Sequence, residues 1–508
     1  VAIGENALDA FTTGSNNTAV GDNAGGAITT ANANTAIGNA ALSTTTTGAT
    51  NTAIGAEALQ LNTTGDSNVA VGYQALEENT TASNNVAVGS LALTANTTGT
   101  DNVAVGQSTL DANTTGSRNT AIGDNALGAN TTASNNTAMG SSALLANTTG
   151  ANNTAIGRES MLSNTTGASN VAVGSTSLDA NTTGSYNTSI GQASLTTNTI
   201  GDNNTGVGYQ ALKDNTTANN NTAVGYDALR ANTTGAENTA LGKSALLLNE
   251  TGNYNTALGK DALRANTGSN NTAVGRDALT TNTSGEDNTA VGYLALTANT
   301  TGNLNTAIGR GSLDAATTAN NNTGVGYNSL SAATTGGNNT AIGTYALDAL
   351  TTGNTNVAIG EHAMGGNTVG DRNVAIGYEA LKNYNPASNE DSYNTAVGYA
   401  SASLLTTGTN TTALGARSLY SNTTGGSNTA IGRDALFSNT TADNNTAVGN
   451  LALQQNTTGT NQTAVGKDSL RTNTTGTRNT ALGNASLELN TTGNDNVALG
   501  DYALYNNT

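Results

Sequence analysis

The 508-residue chain has no cysteine and no tryptophan, a single proline, a single histidine and two phenylalanines. Without cysteine, disulfides and thiolate metal sites are excluded. One histidine, His362, rules out His-based nucleophilic triads and multi-His metal centres. Positive charge is also scarce: 16 Lys and Arg stand against 34 Asp and Glu, a net charge of −18. With no basic cluster anywhere, nucleic acid is not an expected partner. No apolar run reaches membrane-spanning length, so direct membrane insertion by this segment is not expected either. One proline, Pro386, excludes collagen, and abundant Gly, Asn and Thr argue against amphipathic helices.

What is present is a phrase, Asn-Thr-Ala-Val-Gly and its variants, repeated thirty times and closing on Gly4, Gly21, Gly38 and so on to Gly500. Of the 29 intervals between these glycines, 27 are 17 residues; Gly259 to Gly275 is 16 and Gly377 to Gly398 is 21. A period this short and strict predicts a solenoid, in which each repeat is one coil that touches only its neighbours. The expected fold class is all-β: a parallel β-roll of about 30 coils, left-handed, running without a domain boundary over residues 1–508. The chain opens inside the phrase at Val1-Ala2-Ile3-Gly4 and closes inside a repeat at Asn507-Thr508, so it reads as an excerpt that lacks caps.

Aligned on that glycine, the columns separate. The residue before it is aliphatic or Met in all 30 coils, as at Val20, Ile37, Ile54 and Val71. Four places after it stands Leu in 26 coils, as at Leu59 and Leu76. These two columns are the expected core ladders. Strand alternation puts the central residue of the phrase on the opposite side, and it is Ala in 27 of 30 coils, including Ala19, Ala36, Ala53 and Ala70. So small a residue, kept so consistently, predicts a ribbon pressed against a second sheet of the chain or against another protomer.

The other half of each coil carries Asn-Thr-Thr-Gly, as at Asn96 to Gly99, whose Asn and Gly suit a tight corner. The Asn opening the main phrase is present in 27 of 29 coils, with Thr411 and Gln462 as replacements, and stacked Asn amides predict hydrogen-bonded ladders. All 16 Lys and Arg fall one, two, five or twelve places after the glycine, which marks those places as solvent-facing. At about 4.8 Å per coil the stack would extend on the order of 140 Å.

No constellation of unique residues converges. His362 occupies a variable, exposed place, and the carboxylate pairs Glu77 with Glu78 and Glu286 with Asp287 are scattered along the rim. Asp261 and Asp277 stack on neighbouring coils as a solvated pair, and the glycine-rich phrase of calcium-binding β-rolls is absent. No catalytic, metal or cofactor residue is assigned, and no enzyme activity or cofactor is expected. Asn-Thr-Thr is formally a glycosylation acceptor, although a corner ladder explains it without sugar. The one irregularity is an insertion near 383–393, where Tyr384, Pro386 and Tyr393 form a candidate contact loop.

The phrase, in copies such as Asn221 to Leu229 and Asn288 to Leu296, resembles the head repeats of YadA-like trimeric autotransporter adhesins. It is similar also to the repeat shafts of phage tail-fibre and bacterial surface proteins that carry an endosialidase-type chaperone domain. The chain departs from the autotransporter head in using 17 residues per coil, where that family uses about 14, and in its Asn-Thr-Thr-Gly corner. The resemblance implies three chains packed side by side, an extracellular place on a cell surface or phage tail, and a structural or adhesive shaft. Such a shaft would hold or form a multivalent surface for a glycan or protein receptor. Two alternatives stand beside it: an ice-binding solenoid, and a β-helix enzyme acting on carbohydrate. For the former, the adjacent Thr pair of the corner lets only one Thr face outward, and a two-rank Thr face is not visible.

Overall fold

The computed structural model describes residues 1–389 and 391–507. It is a parallel β-solenoid with one short strand per repeat, thirty in all, and contains no helix among the described residues. The chain falls into two compact units, Val1–Tyr254 and Asn255–Thr508. The first holds β1 (Ala2–Ile3) to β15 (Thr239–Leu241), and the second β16 (Thr256–Leu258) to β30 (Val497–Leu499). Register follows the repeat, with Thr18, Ala19 and Val20 opposite Thr35, Ala36 and Ile37. It survives both irregular intervals: Thr256 pairs with Thr272 across the short one, and Val374 with Thr395 across the insertion.

The glycine that closes each phrase is dictated by its backbone. At Gly55 φ is +138°, and a Cβ there would lie 2.3 Å from the carbonyl oxygen of Gly72 in the next coil. Beyond the glycine the chain curls through a second unusual geometry, in which Gln74 and Leu76, two and four places after Gly72, both hold φ at +54°. Such left-handed residues cost about 1–2 kcal/mol each. At Leu76 burial offsets that cost, since the side chain is fully enclosed and enclosing a leucine contributes about 1.5–3 kcal/mol. Leu59 sits equally deep, so the predicted leucine ladder is the core.

The other predicted core ladder is on the outside. Ile37 and Ile54 are 37% and 38% exposed and Val20 and Val71 are half-exposed, whereas Ala19, Ala36, Ala53 and Ala70 are buried at 0–1%. The alternation is as expected and its polarity is reversed. The physical reason is space. A Cβ added at Gly206, which replaces the strand alanine in its coil, would meet Ser194 Oγ at 2.5 Å and Leu195 Cγ at 3.4 Å. The leucine and the residue before it already fill the thin interior, so that opposite Ser194 not even a methyl fits and the column carries only Ala, Ser or Gly. The alanine ribbon is therefore pressed by its own chain and is not available to another protomer. Where the alanine changes, the facing residue compensates: Ser189 Oγ lies 2.7 Å from Ser177 Oγ and donates to the Ser194 carbonyl at 2.9 Å.

Candidate functional surfaces

Reversing the strand creates a surface. Each strand after β1 points two side chains outward, a Thr or Val at its first place and Val, Ile, Leu or Met at its last. The second rank is 36–45% exposed at Ile122, Met139, Ile190, Leu241, Ile308, Ile376 and Leu414, and aliphatic in every coil. Monomeric proteins seldom leave such a line of apolar side chains uncovered, and each of the two units carries one. The sequence carried this signal in the unvarying alanine, which marks the tighter side of the strand.

The asparagines are internal. In the ladder that opens the phrase, Asn136 Oδ1 accepts the backbone N–H of Asn153 at 2.9 Å, and Asn136 Nδ2 donates to the Gly150 carbonyl at 2.9 Å. In the corner ladder, Asn96 Nδ2 donates to Asn79 Oδ1 and to the Gly99 carbonyl, each at 3.0 Å. Asn96 and its equivalents Asn113, Asn130 and Asn147 are fully buried, so the folded chain offers these acceptor amides to no glycosylating enzyme. Of the adjacent threonines, Thr97 turns its hydroxyl to the Thr114 carbonyl at 3.0 Å, and Thr98 faces solvent.

The rim places carry the charge and the rings. Tyr209 stacks on Tyr226 with centroids 5.2 Å apart, and His362 lies flat on Tyr345 at 5.2 Å, which gives the lone histidine a packing partner. Asp261 and Asp277 pair with Lys260 and Arg276 at 3.0 and 2.9 Å, an arrangement of exposed ion pairs rather than a cation cage. Among the described residues no three His, Cys, Asp or Glu side chains gather as a metal site. Glu286 and Asp287 remain exposed on the rim. Burial, then the neighbouring Glu57 and Glu78, push the Glu77 carboxyl up from its ordinary range. Asp111, Asp179, Asp314 and Asp348, each five places after its glycine, are raised by burial. No helix of the described residues is long and apolar enough to cross a membrane.

The insertion divides its three candidate residues. Tyr384 and Pro386 are buried, because Tyr384 keeps the in-line place of the corner asparagine, seven after Gly377. Neither can serve as a contact residue. Tyr393 is 52% exposed, and its hydroxyl lies 2.9 Å from Asp391 and 2.8 Å from Arg372, which itself pairs with Asp391. Glu390 lies outside the described residues. Neither a protein-family model nor a curated protein matches this chain.

Proposed function

We propose that the chain is a structural, adhesive shaft of an extracellular fibre, assembled from three copies on a cell surface or phage tail. The outward aliphatic rank carries this reading. It recurs in every coil and is left half-exposed by its own chain, and lateral packing of identical chains would cover it. The resemblance to trimeric adhesin heads and the absence of any convergent set of unique residues point the same way. The contact surface is thus the Val/Ile/Leu rank, in place of the alanine ribbon expected from sequence. Light scattering on the purified chain tests this: a mass near three times 50.2 kDa is expected, and a monomer would overturn it. Ile122→Lys combined with Ile156→Lys, both outward, would dissociate the assembly while leaving each chain folded by circular dichroism.

A second reading gains from the same surface. The outward first rank, Thr at Thr120, Thr137 and Thr154 and Val in other coils, runs beside the aliphatic rank two residues along the strand. Each rank steps by one strand spacing, a regular two-rank face of the kind an ice-binding solenoid needs. It requires that face to be open. A monomer with thermal hysteresis lost in Thr137→Lys would establish it, and a trimer without hysteresis would dismiss it.

A further inference from the structure

One place on the rim interrupts the regular surface. The coil that begins at Gly398 continues Tyr399-Ala400-Ser401-Ala402-Ser403, whereas its neighbours carry Glu379, Leu381 and Lys382 below and Arg417, Leu419 and Tyr420 above at the corresponding places. The small side chains leave a cleft of about 290 Å³, lined by Glu379, Tyr399, Ala400, Arg417, Tyr420 and Phe437.

Two aromatic stacks end at this cleft. Tyr399 rests on Tyr378 with centroids 5.5 Å apart and planes within 8°, and the next coil places only Ala416 over its other face. Tyr420 and Phe437 stack at 5.3 Å and 5°, and the coil beneath offers only Ser403 to Tyr420. Each stack therefore presents a ring face that no ring of its own column covers. Tyr399 is 57% exposed.

The charges around the cleft are already matched. Arg417 Nε lies 2.8 Å from Asp434 Oδ1, and its Nη2 donates to Asp434 Oδ2 at 3.0 Å. Lys382 Nζ lies 2.7 Å from Glu379 Oε1. Two places after the glycine of three successive coils stand Glu379, Ala400 and Arg417, so Glu379 and Arg417 lie two coils apart, roughly 10 Å. The cleft thus combines flat apolar faces with hydrogen-bonding groups whose net charge is zero, at the small end of the roughly 300–1,000 Å³ typical of ligand pockets. A ligand that is flat and apolar on its faces, rich in hydroxyls at its edge and uncharged satisfies all three conditions. We propose that this cleft binds one neutral pyranose unit of a glycan, its ring stacked on Tyr399 or Tyr420 and its hydroxyls met by Glu379 and Arg417. The site lies within one chain and does not depend on the fibre reading or on the oligomeric state.

Saturation-transfer NMR on the full chain with methyl glycosides of glucose, galactose and mannose tests it, with N-acetylneuraminate as the anionic comparison. Ala400→Gln fills the cleft without disturbing the fold, because Gln74 and Gln210 occupy the equivalent place of other coils at φ +54°, close to the +50° of Ala400. At least one neutral glycoside is expected to show transfer, weakened about tenfold or more in Ala400→Gln and in Tyr399→Ala and unchanged in Tyr209→Ala. No transfer from any neutral glycoside, transfer confined to N-acetylneuraminate, or binding undiminished in Ala400→Gln would each overturn the assignment. Loss in Tyr209→Ala as well would also overturn it, since the exposed rings in general would then be the sugar platform.

Discussion

The two asparagine columns look alike in sequence and differ in how much substitution they bear. The column that opens the phrase departs from Asn only at Thr411 and Gln462, both polar and both tied into the ladders. Thr411 Oγ1 donates to Asn394 Oδ1 at 2.7 Å, and Gln462 Oε1 accepts from Asn473 Nδ2 at 2.9 Å. The corner column gives way to Phe11, Ile28, Thr45, Ala316, Ala333, Leu350, Tyr384 and Leu405, all buried but Phe11 in the first coil. The difference lies in what each amide satisfies. A phrase asparagine accepts a buried backbone N–H of the next coil and donates to the corner carbonyl. A corner asparagine donates to its neighbour and to that same carbonyl, which is then doubly served. Where the corner residue is Ala333 or Leu350, Asn322 and Asn339 still reach the Gly336 and Gly353 carbonyls at 2.8 and 2.9 Å. A redundant hydrogen bond permits an apolar replacement; a sole acceptor for a buried amide does not.

The largest effect expected follows directly. Asn136→Leu removes the acceptor for the Asn153 N–H and one donor to the Gly150 carbonyl, and should cost about 2–4 kcal/mol. Because repeat arrays open locally, amide exchange at Asn153 is the sharper measurement: its protection should fall well before that of distant coils. Protection at the wild-type level would dissolve the distinction between the columns.

Thr411→Asn runs the comparison in reverse. Thr411 receives its acceptor from Asn394 Oδ1 at 3.0 Å, as the column requires, and an asparagine there would extend an equivalent oxygen to the Asn428 N–H. A gain of about 0.5–1.5 kcal/mol is expected from urea unfolding. Destabilisation would mean that the threonine suits its coil for another reason.

Asn147→Leu sets the lower bound. It forfeits bonds to Asn130 Oδ1, to the Gly150 carbonyl and from Asn164 Nδ2, yet Asn136 retains that carbonyl and Asn164 Nδ2 keeps its bond to Gly167. Against the gain from leucine burial the change should stay within about 1 kcal/mol. A loss equal to that of Asn136→Leu would place the redundancy argument in error.

Much of this was open to reading from the residues alone. Period, strand position, parallel stacking, the leucine ladder and the asparagine ladders all follow from columns that seldom vary. Strand polarity did not. A period-two pattern such as Thr-Ala-Ile reads identically with either side inward, and transfer free energy favours putting the isoleucine inside. The decisive quantity is interior width, which a column of leucines fixes only once the backbone curl of Gln74 and Leu76 is known. The contact loop failed for a related reason: Tyr384 was grouped with the insertion by proximity, although counting seven from Gly377 puts it in the corner column. The aromatic cleft was legible in principle as the run Tyr399-Ala400-Ser401-Ala402-Ser403, but the significance of small residues depends on which places face outward.

The smallest effect separates both amide columns from the carboxylates. Asparagine does not titrate, so the contribution of the ladders is flat with pH. Asp111, Asp179, Asp314 and Asp348 are held above the ordinary value of 3.8 by burial, so between that value and their folded pKa the native chain holds more protons than the unfolded one. Stability from these groups is therefore present at the acid side of that window and is lost as pH rises through it. The lowered Glu379, paired with Lys382, and the lowered Asp495, bound to Arg478, oppose the trend, but Asp495 is exposed and Glu379 half-exposed, so solvent screens both. Thermal midpoints should thus rise modestly from pH 7 to about pH 4.5. In the variant with all four aspartates changed to asparagine the rise should flatten, while the separation between Asn136→Leu and Asn147→Leu stays the same at both pH values. If that separation moved with pH, the phrase column would be coupled to charge, and its intolerance of substitution could no longer be ascribed to a buried amide alone.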